Sequence, residues 1–245
     1  MANEPTQLRL SWAVAEVLAV ASPTPCMRRV TVGGAELAAF LRAEGVDEPA
    51  AWVKLFLPSG EGRAYTIRGI NHDAASLDLD IVLHGDGPQA GPASTWAADA
   101  QPGARVGIAG PRSGGFLLPA DARWVLLAGD ITALPALQRI ASALPADLKA
   151  KVYVELPSQA DRQPIDDAAK LRTDWLLARE GPGVALCQTL LHRPLPAGPG
   201  YLWMAGESST IRRLRQHYLL ERGIERHRVS AKGYWKAGEA DHRDA

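Results

Sequence analysis

The chain has 245 residues, 47% of them hydrophobic and 22% charged, which are globular proportions that exclude intrinsic disorder. Its 27 basic residues balance 27 acidic ones, so no global field favours nucleic acid or an anionic membrane, and any electrostatic specificity must be local. The length favours two ordinary domains over a single core.

From Leu8 to Gly110, short alternating or β-branched runs are separated by Gly, Pro and Asp: Trp12–Ala21, Arg28–Val32, Trp52–Leu57, Tyr65–Ile70, Leu77–Leu83 and Arg105–Ala109. Strands at this spacing predict a six-stranded antiparallel β-barrel. One helical insertion, Ala35–Ala43, carries Leu37, Phe40 and Leu41 on one face, and a short helix is expected from Pro92 to Ala98. After the hinge Leu117–Ala122 the pattern changes. Trp124–Ala128 is a continuous apolar run, as in parallel strands covered on both faces. It is followed by helix Leu134–Leu144, strands Lys151–Leu156 and Asp174–Ala178, helix Val184–His192, strand Gly200–Ala205, helix Ser208–Arg222 and strand Arg228–Lys232. The expected fold is β + α/β, a barrel over residues 1–118 and a parallel-sheet α/β domain over 119–245.

Only Cys26 and Cys187 are present. That is too few for a disulfide framework or a four-thiolate metal or iron–sulfur site, and no metal ligand set is assigned. Met1–Leu10 lacks a basic segment leading an apolar one, and no run of about 18 apolar residues occurs. The expectation is a cytoplasmic, monomeric protein with no stable membrane association.

Arg63-Ala64-Tyr65-Thr66-Ile67-Arg68 places two permanent cations, a ring and a hydroxyl on one strand, with Tyr65 and Ile67 on one face and Ala64, Thr66 and Arg68 on the other. Two guanidinium forks suit a diphosphate, and Gly91-Pro92-Ala93-Ser94 offers small residues and a helix N-terminus. Taken singly, these are also ordinary strand and surface residues. Their order is more informative. Arg63–Arg68, then Asp80-Ile81-Val82-Leu83-His84-Gly85, Gly91–Ser94 and Gly110-Pro111 are followed by Gly129-Asp130-Ile131-Thr132-Ala133-Leu134-Pro135, Ala205-Gly206-Glu207-Ser208 and Gly233-Tyr234-Trp235-Lys236-Ala237-Gly238. Over nearly its full length the chain resembles the siderophore-interacting proteins, flavin-dependent ferric-siderophore reductases of the ferredoxin-reductase superfamily.

The resemblance implies FAD lined by Arg63, Tyr65, Thr66 and Arg68, with Tyr65 and Thr66 at the ring system and Arg68 toward the phosphates. Asp80, Val82 and His84 would lie on the neighbouring strand near the cofactor, although a lone His at a strand end is more often a surface or hydrogen-bonded residue than a catalyst. Ala93 and Ser94 would cap the diphosphate through main-chain N–H groups, and Trp96 would pack the short helix. Gly129, Asp130, Thr132, Gly206 and Glu207 would form the nicotinamide crevice at the sheet's carboxyl edge, for NADH or NADPH. Ile131 stands where the family commonly has Glu. Glu155, at the end of the second α/β strand, could accept ribose hydroxyls and disfavour a 2′-phosphate, or could be an ordinary exposed strand end; Arg162 could meet that phosphate. Tyr234 and Trp235 would shield the flavin or seal the domain interface.

Lys54, Lys232 and Lys236 could form a cationic mouth for an anionic iron chelate, weakened by Glu239 and Asp241 and offset by Arg243. Arg212, Arg213, Arg215 and Arg222 read as solvated helix surface. The activity implied is hydride transfer from nicotinamide to flavin, then electrons to Fe(III), with no acid–base residue required and with ferredoxin as an alternative donor. The alternatives are a general NAD(P)H:flavin or electron-transfer reductase, and a non-catalytic flavin or siderophore carrier.

Overall fold

Inward-facing aliphatics at alternate positions close the first half of the chain on itself. In the computed structural model, which describes residues 11–85, 90–165 and 170–239, six antiparallel strands form a closed barrel. They are β1 (Ser11–Thr24), β2 (Met27–Gly33), β3 (Trp52–Phe56), β4 (Gly62–Asn71), β5 (Ser76–Val82) and β6 (Arg105–Arg112), in spatial order β1-β2-β5-β4-β3-β6. Ala13, Val17, Val30, Val53, Leu55, Ile67, Leu79 and Ile108 fill its interior and are fully buried. Helix α1 (Ala35–Phe40) closes one end with Leu37 and Phe40, and α2 (Pro92–Asp99) packs Ala93 and Ala97 onto the same core.

The second half forms a parallel sheet in the order β11-β10-β7-β8-β9, from β7 (Trp124–Asp130), β8 (Lys149–Leu156), β9 (Lys170–Leu177), β10 (Gly200–Glu207) and β11 (Val229–Trp235). Every residue of β7 and β10 is buried, as their uninterrupted apolar runs require. Helix α3 (Leu134–Ser142) covers one face, and its core also includes Met27 and Ala50 of the barrel. Helices α4 (Val184–His192) and α5 (Ser208–Gln216) cover the other. Between the barrel and the sheet, the Trp203 indole donates to the Gly114 carbonyl at 3.1 Å, and the Tyr201 hydroxyl donates to the Gly115 carbonyl at 3.1 Å. Backbone approach is close there, because a Cβ on Gly114 would lie 2.1 Å from the Ala50 carbonyl oxygen. No helix among the described residues is long and apolar enough to cross a membrane.

Several element boundaries differ from the sequence reading, α1 for instance ending at Phe40 rather than Ala43 and β6 running on to Arg112, and four of the differences bear on the site. β4 starts at Gly62, and a register shift between Ile67 and Gly69 lets it bend around the barrel. β9 begins at Lys170, because pairing with β8 carries polar residues into an edge strand. The last helix is α-helical only to Gln216 and then widens into a π turn over His217–Glu221. β11 runs on to Trp235, so Tyr234 and Trp235 lie within the strand rather than after it. Met1–Leu10, Asp241 and Arg243 lie outside the described residues.

Candidate functional site

Arg29 and Asp80 face each other directly in the β2–β5 ladder. Arg29 grips the Asp80 carboxylate with both forks at 2.7 and 2.8 Å, and Arg68 Nε lies 3.9 Å from the same group, which is 5% exposed. Arg139 of α3 donates to the Ile67 carbonyl, next to Arg68, at 3.2 Å and to the Asp47 carbonyl at 2.9 Å. Burial lowers the Arg139 pKa, the Asp47 carboxylate raises it, and the Arg68 charge lowers it further. Arg29 and Arg68 therefore share one buried carboxylate, and the Arg139 charge lies close enough to Arg68 to be felt, so the local field is one that a phosphate would complement.

Arg63 does not join them. It sits five residues from Arg68 along β4, roughly 17 Å away in an extended strand. The expected Arg63–Arg68 clamp on a single diphosphate is therefore not formed, and the Arg63 guanidinium instead donates to the Gly62 carbonyl at 2.9 Å. Between the two arginines, Tyr65 shares the inward face with Ile67: it lies opposite Val53, packs half-buried on the barrel core, and has its phenol pKa raised by burial. Thr66 is buried on the other face. Val82, opposite Met27, packs into the core shared with α3. The Ser94 hydroxyl is spent on the backbone: it accepts the His84 N–H at 2.9 Å and donates to the His84 carbonyl at 3.2 Å, fastening α2 to the end of β5. A ligand there meets the first-turn N–H groups, which have no intrahelical acceptor. A groove of about 480 Å³ opens beside it, lined by Pro25, Cys26, Leu83, His84, Ser94 and Thr95.

At the carboxyl edge of the sheet, Asp130 ties three strand ends together. Its Oδ1 accepts the Thr132 N–H at 2.9 Å and the Thr132 hydroxyl at 2.5 Å; its Oδ2 accepts the Glu207 N–H at 2.9 Å and the Trp235 indole N–H at 2.8 Å. Burial pushes the carboxyl above the usual Asp range against these donors. Gly206, at φ 147°, leaves room for it, since a Cβ there would stand 2.6 Å from Oδ2. Gly129 similarly admits the Ala205 carbonyl, 2.5 Å from where its Cβ would be. Glu207 accepts the Thr210 N–H at 2.8 Å and caps α5. The side chains of Asp130, Thr132 and Glu207 are thus bound to the protein, and the crevice offers a ligand mainly backbone groups and small-residue space. Ile131 is buried in the α3 core, so no polar contact replaces the Glu usual at this position.

Glu155 does not reach into the crevice. It is 2% exposed and caps α4, accepting the Leu186 N–H at 2.9 Å and a short hydrogen bond from Gly183 N–H. Both readings of it as an exposed or ribose-binding acid are corrected, because two helix N–H groups take its oxygens. Arg162 is exposed, with its guanidinium 5.9 Å from the Trp175 ring centroid.

The two tail aromatics are built into the seam. Tyr234 meets Trp203 edge-on at 6.5 Å and lies beside Thr66. Its hydroxyl is buried and does not align with Thr66 as a hydrogen bond; burial pushes its pKa up to about 12. Beyond it, Trp52 Nε1 and Lys232 Nζ both donate to the Ser113 carbonyl at 3.2 Å, and the Arg112 guanidinium stacks 5.2 Å over Trp52. Lys54, two residues along β3, lies 5.7 Å over Phe56. Lys54 and Lys232 are thereby brought to one patch with Arg112, whereas Lys236 pairs with Glu239 in a short contact that cancels its charge.

Sequence reasoning missed Arg29, Arg112 and Arg139. Arg112 had a signal, as the residue directly after Gly110-Pro111; Arg29 and Arg139 enter only through strand register and domain packing. The cluster fits a dinucleotide on three counts: the Arg29 and Arg68 guanidinium groups on one carboxylate, the first turn of α2, and a buried hydroxyl without an aligned partner at Tyr234.

Comparison with known proteins adds to this geometry. Residues 122–238 match the profile described as "Siderophore-interacting protein", and residues 60–115 match "Siderophore-interacting FAD-binding domain". The ferric vibriobactin reductase ViuB of Vibrio cholerae is 31% identical over 239 residues, covering 86% of this chain and 84% of that protein. The mycobactin import protein IrtA of Mycolicibacterium smegmatis is 30% identical over 80% of this chain, which spans only 23% of IrtA. A siderophore utilization protein from T. fusca superposes with a TM-score of 0.83 at 29% identity over 96% of both chains.

Proposed function

Because the chain belongs to the siderophore-interacting protein family, we propose that it reduces ferric siderophores, taking electrons from NADH or NADPH through FAD. The observation carrying this reading is the continuity of one surface. The Arg29–Asp80–Arg68 cluster, the Thr66–Tyr234 contact and the Lys54–Arg112–Lys232 patch follow one another along the seam between barrel and sheet. The name of ViuB as a ferric vibriobactin reductase supports it.

Bound FAD would supply the conversion of a two-electron hydride donor into single electrons. The chain's own residues do the rest. Arg68, with Arg29 held against Asp80, neutralises phosphate charge, and the first turn of α2 adds N–H donors. Thr66 and the Tyr234 hydroxyl offer hydrogen bonds to the edge of a ring laid along β4. Tyr234 and Trp203 keep water from the seam. Asp130 sets the positions of the Ile131–Ala133 and Ser208 turns, between which a nicotinamide would enter. Lys54, Arg112 and Lys232 hold an anionic iron chelate. Hard anionic oxygens bind Fe(III) better than Fe(II), so the reduced metal is released without breaking the chelator. The barrel, to residue 118, serves the flavin and the remainder the nicotinamide, in a cytoplasm that keeps both cysteines free.

Purified protein is expected to be yellow, to bleach with NADH or NADPH under anaerobic conditions, and to regain its colour on mixing with a ferric siderophore. Flavin that neither nicotinamide bleaches would sink the NAD(P)H reductase reading and leave a carrier or a ferredoxin-fed reductase. With Glu155 withdrawn into the α4 cap, Glu155→Gln is expected to lower stability by about 1–3 kcal/mol through the lost capping bonds. The NADH to NADPH ratio of kcat/KM should change less than about twofold. Thermal unfolding and steady-state kinetics on the same preparation check both halves; a shifted cofactor ratio would return Glu155 to the crevice.

A further inference from the structure

Beside the cationic patch, the outer wall of the barrel carries an aromatic surface for which the fold has no evident use. Trp12 of β1 and Lys54 of β3 both lie opposite Ala109 of β6, so the three form one row across three strands. Phe56 lies opposite Gly107 in the next part of the ladder. Trp12 leans over that glycine, where a Cβ would stand 2.5 Å from its indole. Lys54 and Phe56 lean over Gly62 in the same way, at 2.4 and 2.8 Å. The Trp12 and Phe56 rings are 5.0 Å apart at an angle of 54°, and Trp12 remains 56% exposed.

We propose that Trp12 and Phe56, with Lys54 at their edge, bind an aryl ring of the iron chelate, and that catecholate-type chelates are therefore the preferred substrates. The inference rests on the ferric-siderophore reading above and extends its binding patch. Continuity and charge select the occupant. Lys54 belongs to both the cationic patch and the aromatic wall, and Arg112 stands on the neighbouring Trp52. A ferric tris-catecholate combines planar aryl rings with several negative charges, and so matches an indole face beside cations. A ferric trihydroxamate is close to neutral and has no ring to stack, and ferric citrate has charge without a ring. The small residues at 62, 107 and 109 let the side chains above them lie flat, which leaves an open face rather than a packed one.

Isothermal titration of flavin-loaded protein with gallium(III) tris-catecholate, which cannot be reduced, tests this directly. Trp12→Ala is expected to weaken binding about fivefold to tenfold, the loss of one stacked ring. Trp12→Phe should stay within about twofold of wild type, and gallium citrate should bind both variants as it binds wild type. Because Trp12 also covers Gly107, the phenylalanine variant separates lost stacking from a damaged sheet. Unchanged tris-catecholate binding in Trp12→Ala would overturn the proposal. So would an equal loss for citrate, or a dimer of wild type that the alanine variant breaks. If wild type reduces ferric chelates and the alanine variant binds tris-catecholate normally, only this inference falls. Wild type that reduces none would remove the parent reading too.

Discussion

Replacing Asp130 with alanine is expected to destabilise the protein by about 3–5 kcal/mol, the largest single-residue effect anticipated. The carboxylate is 8% exposed and receives two donors on each oxygen, from Thr132, Glu207 and Trp235. Removing it leaves the Thr132, Glu207 and Trp235 N–H groups short of an acceptor in a site with little water. Each buried, unmet donor costs about 1–3 kcal/mol. Asp130→Asn keeps the shape but turns an NH₂ toward the two donors on whichever oxygen it replaces, so it should recover only part of the loss. For a chain of this length the alanine variant should melt ~10 °C lower. Urea unfolding at constant m-value measures the same quantity. A variant within about 1 kcal/mol of wild type would mean that the three strand ends are held together by something else.

Arg68→Ala is expected to weaken FAD binding about 10- to 100-fold, the range of one charge-assisted contact to phosphate. The protein should then purify with partial flavin occupancy, read from the visible absorbance per chain and from titration with added FAD. Arg68→Lys keeps the charge but not the planar fork, so it should recover part of the affinity. Arg63→Ala should have a separate effect, because the two arginines stand five residues apart on β4 rather than in one clamp. Full occupancy in Arg68→Ala would refute a role for it in holding the cofactor. Asp80→Asn sharpens the assignment. It frees Arg29 from its bidentate grip, so a loss of FAD there would show that the carboxylate positions the guanidinium groups rather than only opposing their charge.

Much of the architecture was legible because burial leaves a periodic trace. Alternation in Trp52–Leu57 follows from a barrel wall with one buried face, and the unbroken run Trp124–Ala128 follows from a strand covered on both. The small-residue turns were also readable. Gly129 and Gly206 sit where a Cβ would strike the Ala205 carbonyl or the Asp130 carboxylate, a demand that local sequence expresses directly. What could not be read was the direction in which a polar side chain turns. Glu155 stands at a strand end whether it faces a ribose or caps a helix, and only the arrival of Gly183 and Leu186 from 28 and 31 residues away decides it. Asp130 likewise looked like a ligand contact and is instead filled by donors from β10 and β11.

The chain by itself determined two domains of different strand grammar, a charge balance that confines electrostatics to local patches, and an ordered set of motifs sufficient to place it in its family. These depend on periodicity and on short-range sterics, which are properties of neighbouring residues. Tertiary structure decided which charges meet. Arg29 and Arg68 converge on Asp80 through ladder register, Arg139 reaches the Ile67 carbonyl beside Arg68 across the domain seam, and Lys232 reaches Ser113 across 119 residues. Electrostatic function depends on distance in space, and a long flexible side chain carries almost no sequence signal of the partner it will find.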